Sequence, residues 1–263
     1  MSTPTLTIVT PCLNPAATIG QTLASVAPQL REGDEHLVVD GGSTDGTLDL
    51  LREAGVRFVS EPDRGLSDAM NKGIRLAEGE VVGWLNADDV LLPGALDAVR
   101  AAFESRPGAE WAAGLCTIID GDGAEIRTGV TRYKRALLRR YSLASLLVQN
   151  FVMAPATYVR RDAYLAVGGF DERFRYSMDY DVWLQLARRG DPVVVDRPLA
   201  SFRMAGESLS MTGFERQFEE HLTNAREHGE GHRVAVTANA VMSRLFVLVY
   251  RALRWRRRLG RGS

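Results

Sequence analysis

Cross-linking and soft-metal residues are scarce in this chain. Two cysteines, Cys12 and Cys116, cannot make a disulfide framework or a four-thiolate zinc site, and a reducing compartment is expected. Four histidines, His36, His221, His228 and His232, argue against a His-rich metal centre. No basic-then-apolar N-terminal stretch is present, so no signal peptide is read. The longest apolar run, near the C-terminus, is broken by Arg244 and falls short of a membrane span. No internal repeat, low-complexity tract or linker interrupts the 263 residues.

What is there is globular material. Apolar residues make up 45% and charged residues 25%, which excludes a disordered or fibrous chain. The length suits one domain with a buried core. A net charge of −1 conceals an asymmetry: residues 251–263 hold six arginines and no acid, leaving the first 250 residues at −7. A basic tail on an acidic body points to an anionic membrane leaflet. A nucleic-acid-binding domain would be basic on its main body.

Strand and helix patterns alternate through the N-terminal half. Leu6 to Val9, His36 to Val39, Arg57 to Val59 and Val81 to Leu85 are short apolar runs rich in β-branched residues. Between them, Ile19, Leu23, Val26 and Leu30 recur at helical spacing, Leu48 and Leu51 mark a second helix, and residues 66–78 a third. Pro93 stands where a fourth helix begins. This order predicts an α/β fold, a mostly parallel sheet covered by helices on both faces. Residues 110–119 and 124–130 read as strands around the hairpin signal Asp120-Gly121-Asp122-Gly123. Residues 131–150 read as a helix or loop, 180–189 as a helix, 193–195 and 199–204 as late strands, and 213–228 and 233–257 as helices.

Three strand ends are unusually polar: Thr10 to Asn14, Asp40 to Gly46, and Asn86 to Asp89. Ligands of open α/β sheets lie beyond the carboxyl ends of the strands. Adjacent carboxylates there suit Mg²⁺ or Mn²⁺, which take one or two protein carboxylates and fill their shells with water and phosphates. Asp88-Asp89 also has a plain reading, a helix N-cap pair ahead of Pro93. The glycines after Asp40 have neither the dinucleotide nor the Walker spacing.

Taken together, these segments resemble glycosyltransferase family 2 of the bacterial surface-glycan type. The matching blocks are Thr10-Pro11-Cys12-Leu13-Asn14, Val38 to Thr47, Glu61 to Gly65 with Asp68 to Gly73, Leu85 to Asp89, and Gly168 to Glu172 with Met178 to Trp183. They span roughly residues 5–210, in the family's order. The resemblance implies a GT-A nucleotide-binding fold and inverting transfer of a sugar, hexosyl or N-acetylhexosaminyl, from a nucleotide diphosphate, commonly UDP, to a glycan or lipid-linked hydroxyl. It further implies that Asp40 binds the base and that Thr10, Pro11 and Asn14 line the nucleotide pocket. Arg64, Asp68, Asn71 and Arg203 join the donor wall, Asp88 faces ribose and metal, Asp89 ligates Mn²⁺ or Mg²⁺, and Asp179 is the base. A carboxylate base with a cation at the leaving diphosphate is a complete minimal set. Without the resemblance, Asp179 reads equally well as a helix cap.

The chain departs from the family pattern in three places. Met178 stands where many members have Glu, Met204-Ala205 follows Arg203 where a metal-binding His is common, and Ala154 replaces a His beside Pro155. His221 is a candidate substitute ligand. The resemblance divides the chain into a donor half (1–106), an acceptor half (107–212) and a helical appendage with a basic tail (213–263). Residues 233–261 are expected to hold the enzyme at the inner face of the cytoplasmic membrane through Val241, Leu245, Leu248, Trp255 and the arginines, the alternative being a helix packed on the catalytic domain with a solvated basic end. Nucleotidyl transfer wants a Gly-rich basic signature at the first strand end, which Pro11 to Asn14 does not supply. A nucleotide-sugar-binding pseudoenzyme would not need Asp88, Asp89 and Asp179 together.

Overall fold

The computed structural model describes residues 3–204 and 213–259. Its first half is the expected alternation, β1 (Leu6–Cys12), α1 (Ile19–Val26), β2 (Glu35–Asp40), α2 (Thr47–Glu53), β3 (Arg57–Ser60), α3 (Leu66–Leu76) and β4 (Val81–Trp84), then an unexpected two-residue β5 (Val90–Leu91), and α4 (Ala95–Ser105). The second half runs β6 (Trp111–Ile119), β7 (Glu125–Ile126), α5 (Thr128–Arg139), α6 (Leu143–Val148), β8 (Thr157–Arg160), α7 (Arg161–Ala166), α8 (Met178–Arg189), β9 (Val193–Arg203), α9 (Phe214–His228) and α10 (Arg233–Leu259).

One sheet takes the order β3-β2-β1-β4-β8-β6-β9-β5, with β7 paired to β6. β1, β2, β3 and β4 are mutually parallel, and the long β6–β9 ladder is parallel too, so most paired positions are parallel. β8 runs antiparallel between β4 and β6 and joins the two halves. Every residue of β1 is buried, as a strand covered on both faces requires. α3 lies so close on β1 that a Cβ at Gly73 would come within 2.3 Å of Val9 Cγ1.

Several boundaries differ from the expected ones for local reasons. Pro11 continues β1 to Cys12, because pairing with β4 has already ended at Trp84. The two late strands are one, since an irregular register at Gly114 to Cys116 absorbs Pro198. Arg127 caps α5 and residues 128–130 open it instead of extending the hairpin strand.

The C-terminal helices pack on the sheet-bearing body. α9 lies against α8, and α10 against α9 and α6. Glu220 of α9 accepts the backbone N–H groups of Tyr176 (2.7 Å) and Ser177 (3.1 Å), and Asn239 of α10 donates to the Leu147 carbonyl (2.9 Å). Trp255 and the arginines from Arg251 onward lie outside the residues whose side chains are described, as do residues 205–212. Among the described residues, no helix is long and apolar enough to cross a membrane.

Candidate active site

At the carboxyl edge of the sheet, the β1 and β2 loops are laced together. The Asn14 side chain accepts the Thr44 N–H (2.8 Å), and the Asn14 N–H donates to Ser43 Oγ (2.7 Å). Asn14 itself is in the left-handed region at φ 55°, which asparagine tolerates better than most residues. Asp40, fully buried at the end of β2, accepts the N–H groups of Gly42 and Ser43 (both 3.0 Å) and the hydroxyls of Ser43 and Ser60. Burial pulls its pKa upward, but the Ser43, Ser60 and Gly42 donors outweigh it and hold the carboxyl below its ordinary value.

The adjacent carboxylates after β4 have different surroundings. Asp88 lines a cavity of about 770 Å³, and among the described residues no other residue's donor reaches its carboxylate. Burial raises its pKa, opposed by its own N–H and by the Arg203 charge. Asp89, expected as the direct metal ligand, has no exposed surface. Its oxygens accept the Arg203 N–H (2.9 Å) and the Asn86 amide (2.8 Å), and its pKa is pushed up to about 8 by burial, then by the Asp88 charge. Asp89 anchors β9 beneath the site, and Asp88 is the carboxylate that faces it.

Arg203 lines the same cavity, yet its guanidinium is committed to protein. It donates to the carbonyls of Asp88 (2.9 Å), Asp120 (3.1 Å) and Gly121 (2.8 Å), and to Gln21 Oε1 (2.7 Å). Asp179, at the start of α8, reaches the cavity from the opposite half of the chain. Its oxygens accept the Tyr180 N–H (2.7 Å) and a longer contact from Asn150 (3.5 Å). Burial raises its pKa, while the Tyr180 N–H and the Lys134 ammonium oppose the rise.

Pro11, Asn14, Asp88, Arg203 and Asp179 therefore share one cavity. The other expected site residues lie elsewhere. Thr10 points into the sheet, where its hydroxyl shares a 2.8 Å hydrogen bond with His36 Nε2. Arg64 and Asp68 line a neighbouring cavity of about 430 Å³, with Leu66, Arg175 and Met178 common to both. Arg64 is paired there with Glu172 (2.7 and 2.9 Å) and Asp68 (3.1 Å). Asn71 clamps Phe170, donating to its carbonyl and accepting its N–H, both at 2.8 Å. His221 lines the main cavity, but burial holds its pKa down to about 4.

Lys134 and Asn150 also line the cavity and were not singled out from sequence. A signal was present for Lys134: Arg127, Val130, Lys134 and Leu138 fall on one helical face, whose last member is buried and whose first three line the cavity.

A divalent cation fits the donor set at Asp88, a hard carboxylate that accepts no donor from another of the described residues, in a cavity with room for phosphates. Among the described residues, the cluster whose ligand atoms converge within 4.8 Å is Asp181, Glu227 and His228. It does not line this cavity, and its members are already paired, His228 with Asp181 at 2.6 Å and Glu227 with Arg173 at 3.3 Å.

The family model described as Glycosyl transferase family 2 matches residues 7–165. A PGL/p-HBAD biosynthesis glycosyltransferase of Mycobacterium tuberculosis is 30% identical over 98% of this chain and 100% of its own length. Among solved structures, a mannosyltransferase from Pyrobaculum calidifontis in complex with GDP-Man and Mn²⁺ aligns with a TM-score of 0.65 at 19% identity, over 96% of this chain and 81% of that one. S. aureus TarS 1–349 in complex with UDP-GlcNAc aligns at 0.64 and 16% identity, over 83% and 66%, and the present chain spans 39% of the longer TarS structure.

Proposed function

The chain belongs to glycosyltransferase family 2, and from that premise we propose an inverting transfer of a sugar from a nucleotide diphosphate, UDP-linked, to a hydroxyl of a glycan or lipid-linked acceptor. The observation that carries this reading is the convergence of Asp88 and Asp179 on one cavity of about 770 Å³, a size suited to a nucleotide sugar. Residues 1–106 supply the nucleotide end of the donor side, and 107–212 the acceptor side together with Arg203 at the donor wall. The structural relatives bound to GDP-Man and UDP-GlcNAc support a nucleotide diphosphate donor.

In this reading Asp179 takes the acceptor hydroxyl's proton as the acceptor oxygen attacks the anomeric carbon. Its raised pKa makes it a better base than an ordinary carboxylate, provided that it stays ionised, and the Lys134 charge favours that form. Asn150 orients one carboxylate oxygen and the Tyr180 N–H the other. Asp88 would hold Mn²⁺ or Mg²⁺, and the bound ion would neutralise charge on the donor phosphates. Asp89 contributes by fixing Arg203 and the loop that presents Asp88. Asp40, buried among its own donors, shapes the base end through the β2 loop. The exposed apolar stripe of α10 and the basic tail bring the enzyme to an anionic membrane surface, which suits a lipid-linked acceptor.

The test is Asp179→Asn. An amide cannot accept the proton, so turnover should fall by about 10²- to 10⁴-fold while UDP binding, measured by calorimetry, is unchanged. Turnover near that of the wild type would remove Asp179 from this role.

A further inference from the structure

We propose that Lys134 is a catalytic residue: its ammonium holds the distal phosphate of the donor and receives the charge that grows there as the sugar departs. This rests on the glycosyl-transfer reading of the cavity and adds to it the group that meets the leaving diphosphate.

The placement comes from α5. Lys134 lies four residues before the buried Leu138, so the helix turns this ammonium toward the cavity, while Arg132, Tyr133 and Arg135 fall on other faces. Among the described residues Lys134 makes no hydrogen bond or ion pair. Burial lowers its pKa, with the Asp179 charge acting in the other direction. A half-buried ammonium without a counter-ion is partly stripped of water, and that cost is offset when an anion enters the cavity.

Arg127 lines the same cavity from the N-cap of α5 but already has an interaction of its own, and the other cations near the site are likewise less available. The Arg203 guanidinium is tied to four protein oxygens, and Arg64 is paired with Glu172 and Asp68 beside the second cavity. His221 is neutral at working pH. Arg175 is exposed to water and stands over the Tyr176 ring at 5.9 Å.

Lys134 and Asp179 sense each other's charge without forming an ion pair. That separation suits an in-line displacement, in which base and leaving group flank the reacting carbon. The acceptor's proton passes to Asp179 and the acceptor oxygen bonds to the anomeric carbon. The bond from that carbon to the diphosphate oxygen breaks with its electron pair on the phosphate, whose added charge faces Lys134.

The experiment measures UMP, UDP, GMP and GDP binding to the full chain by calorimetry, for wild type, Lys134→Met and Lys134→Arg. The contact is with the distal phosphate, so Lys134→Met should weaken diphosphate binding about tenfold to hundredfold and leave monophosphate binding unchanged. Lys134→Arg should restore part of the loss. The melting temperature of Lys134→Met should stay level or rise, because an unpaired, half-buried charge is gone. Equal diphosphate affinity in wild type and Lys134→Met overturns the proposal. So does an equal loss for mono- and diphosphates with a lowered melting temperature, the mark of a structural lysine. A wild-type chain that binds neither diphosphate defeats the glycosyl-transfer reading, and this proposal with it; the variants' behaviour is not needed to see that failure.

Discussion

Adjacent side chains at the end of β4 differ in what surrounds them, and the difference is measurable. Asp89 accepts the Arg203 N–H and the Asn86 amide in a site closed to water, whereas Asp88 lines the cavity with no donor from another of the described residues. Asp89→Ala should destabilise the fold by about 1–3 kcal/mol, since it strands buried donors. Asp88→Ala should leave stability nearly unchanged and abolish any stimulation of UDP binding by Mn²⁺. Thermal melts and metal-dependent calorimetry on both variants check this; interchanged results would restore Asp89 as the ligand. His36 gives a pH prediction. Burial lowers its pKa to about 4, below its ordinary value of 6.5, so the folded chain keeps it neutral while the unfolded chain protonates it. Its contribution is full above about pH 6.5 and is lost as pH falls toward 4, by up to about 1.4 kcal/mol per pH unit. Urea midpoints measured from pH 7 to 5 should fall, and fall less steeply in His36→Gln. His221 shifts the same way and keeps the slope from vanishing.

At the scale of elements, α6 shows how a short helix supports the catalytic end of α8. Ser142 accepts the Ser145 N–H and Ser145 returns a bond to the Ser142 N–H, both at 3.1 Å, a reciprocal cap on six residues that could not hold a helix alone. The carbonyls of Leu146 and Leu147 then accept the Tyr180 hydroxyl, at 2.8 and 3.1 Å, one residue beyond Asp179. Ser142→Ala should cost about 1 kcal/mol by denaturant titration and reduce turnover, with UDP affinity retained. An unchanged stability would show that packing of Leu146 and Leu147 alone sets the helix. Legibility in the sequence also varied by element. The strand–helix alternation through α4, the two-residue β5 apart, could be read because the buried strands β1, β2 and β4 carry apolar runs and each helix has its own stripe. β8 could not: Thr157 to Arg160 is four residues long, and its neighbours β4 and β6 are far away in sequence. Asp88 and Asp179 stood out because carboxylates at strand and helix ends are conspicuous. Which of Asp88 and Asp89 faces the cavity could not be read, since Arg203, more than a hundred residues later, decides it. Lys134 was hidden in a basic run that looks solvated until the helix phase is known.

For the molecule as a whole, the two faces of α10 meet different surroundings. Ala235, Asn239 and Ser243 are buried on its inner face, where Asn239 binds the Leu147 carbonyl, so the helix is part of the body. Val234, Val241, Leu245 and Leu248 recur on the other side and are 86%, 60%, 53% and 62% exposed. An apolar stripe of this kind, followed in sequence by six arginines, has the chemistry of a helix lying in an anionic interface. Each arginine near such a leaflet contributes about 1 kcal/mol, and each inserted Val or Leu up to about 1.5–3 kcal/mol. Removing everything after residue 232 would also uncover α6, so substitutions on the outer face are the cleaner probe. The full chain should sediment with vesicles containing phosphatidylglycerol, not with phosphatidylcholine alone, and salt near 0.5 M, where the Debye length falls to about 4–5 Å, should release most of it. The variant Val241→Ser, Leu245→Ser, Leu248→Ser should bind at least about tenfold more weakly, with its melting temperature and UDP affinity unchanged. If the variant sediments as the wild type does, or if neither lipid charge nor salt matters, the stripe is not a membrane contact and the basic tail acts elsewhere.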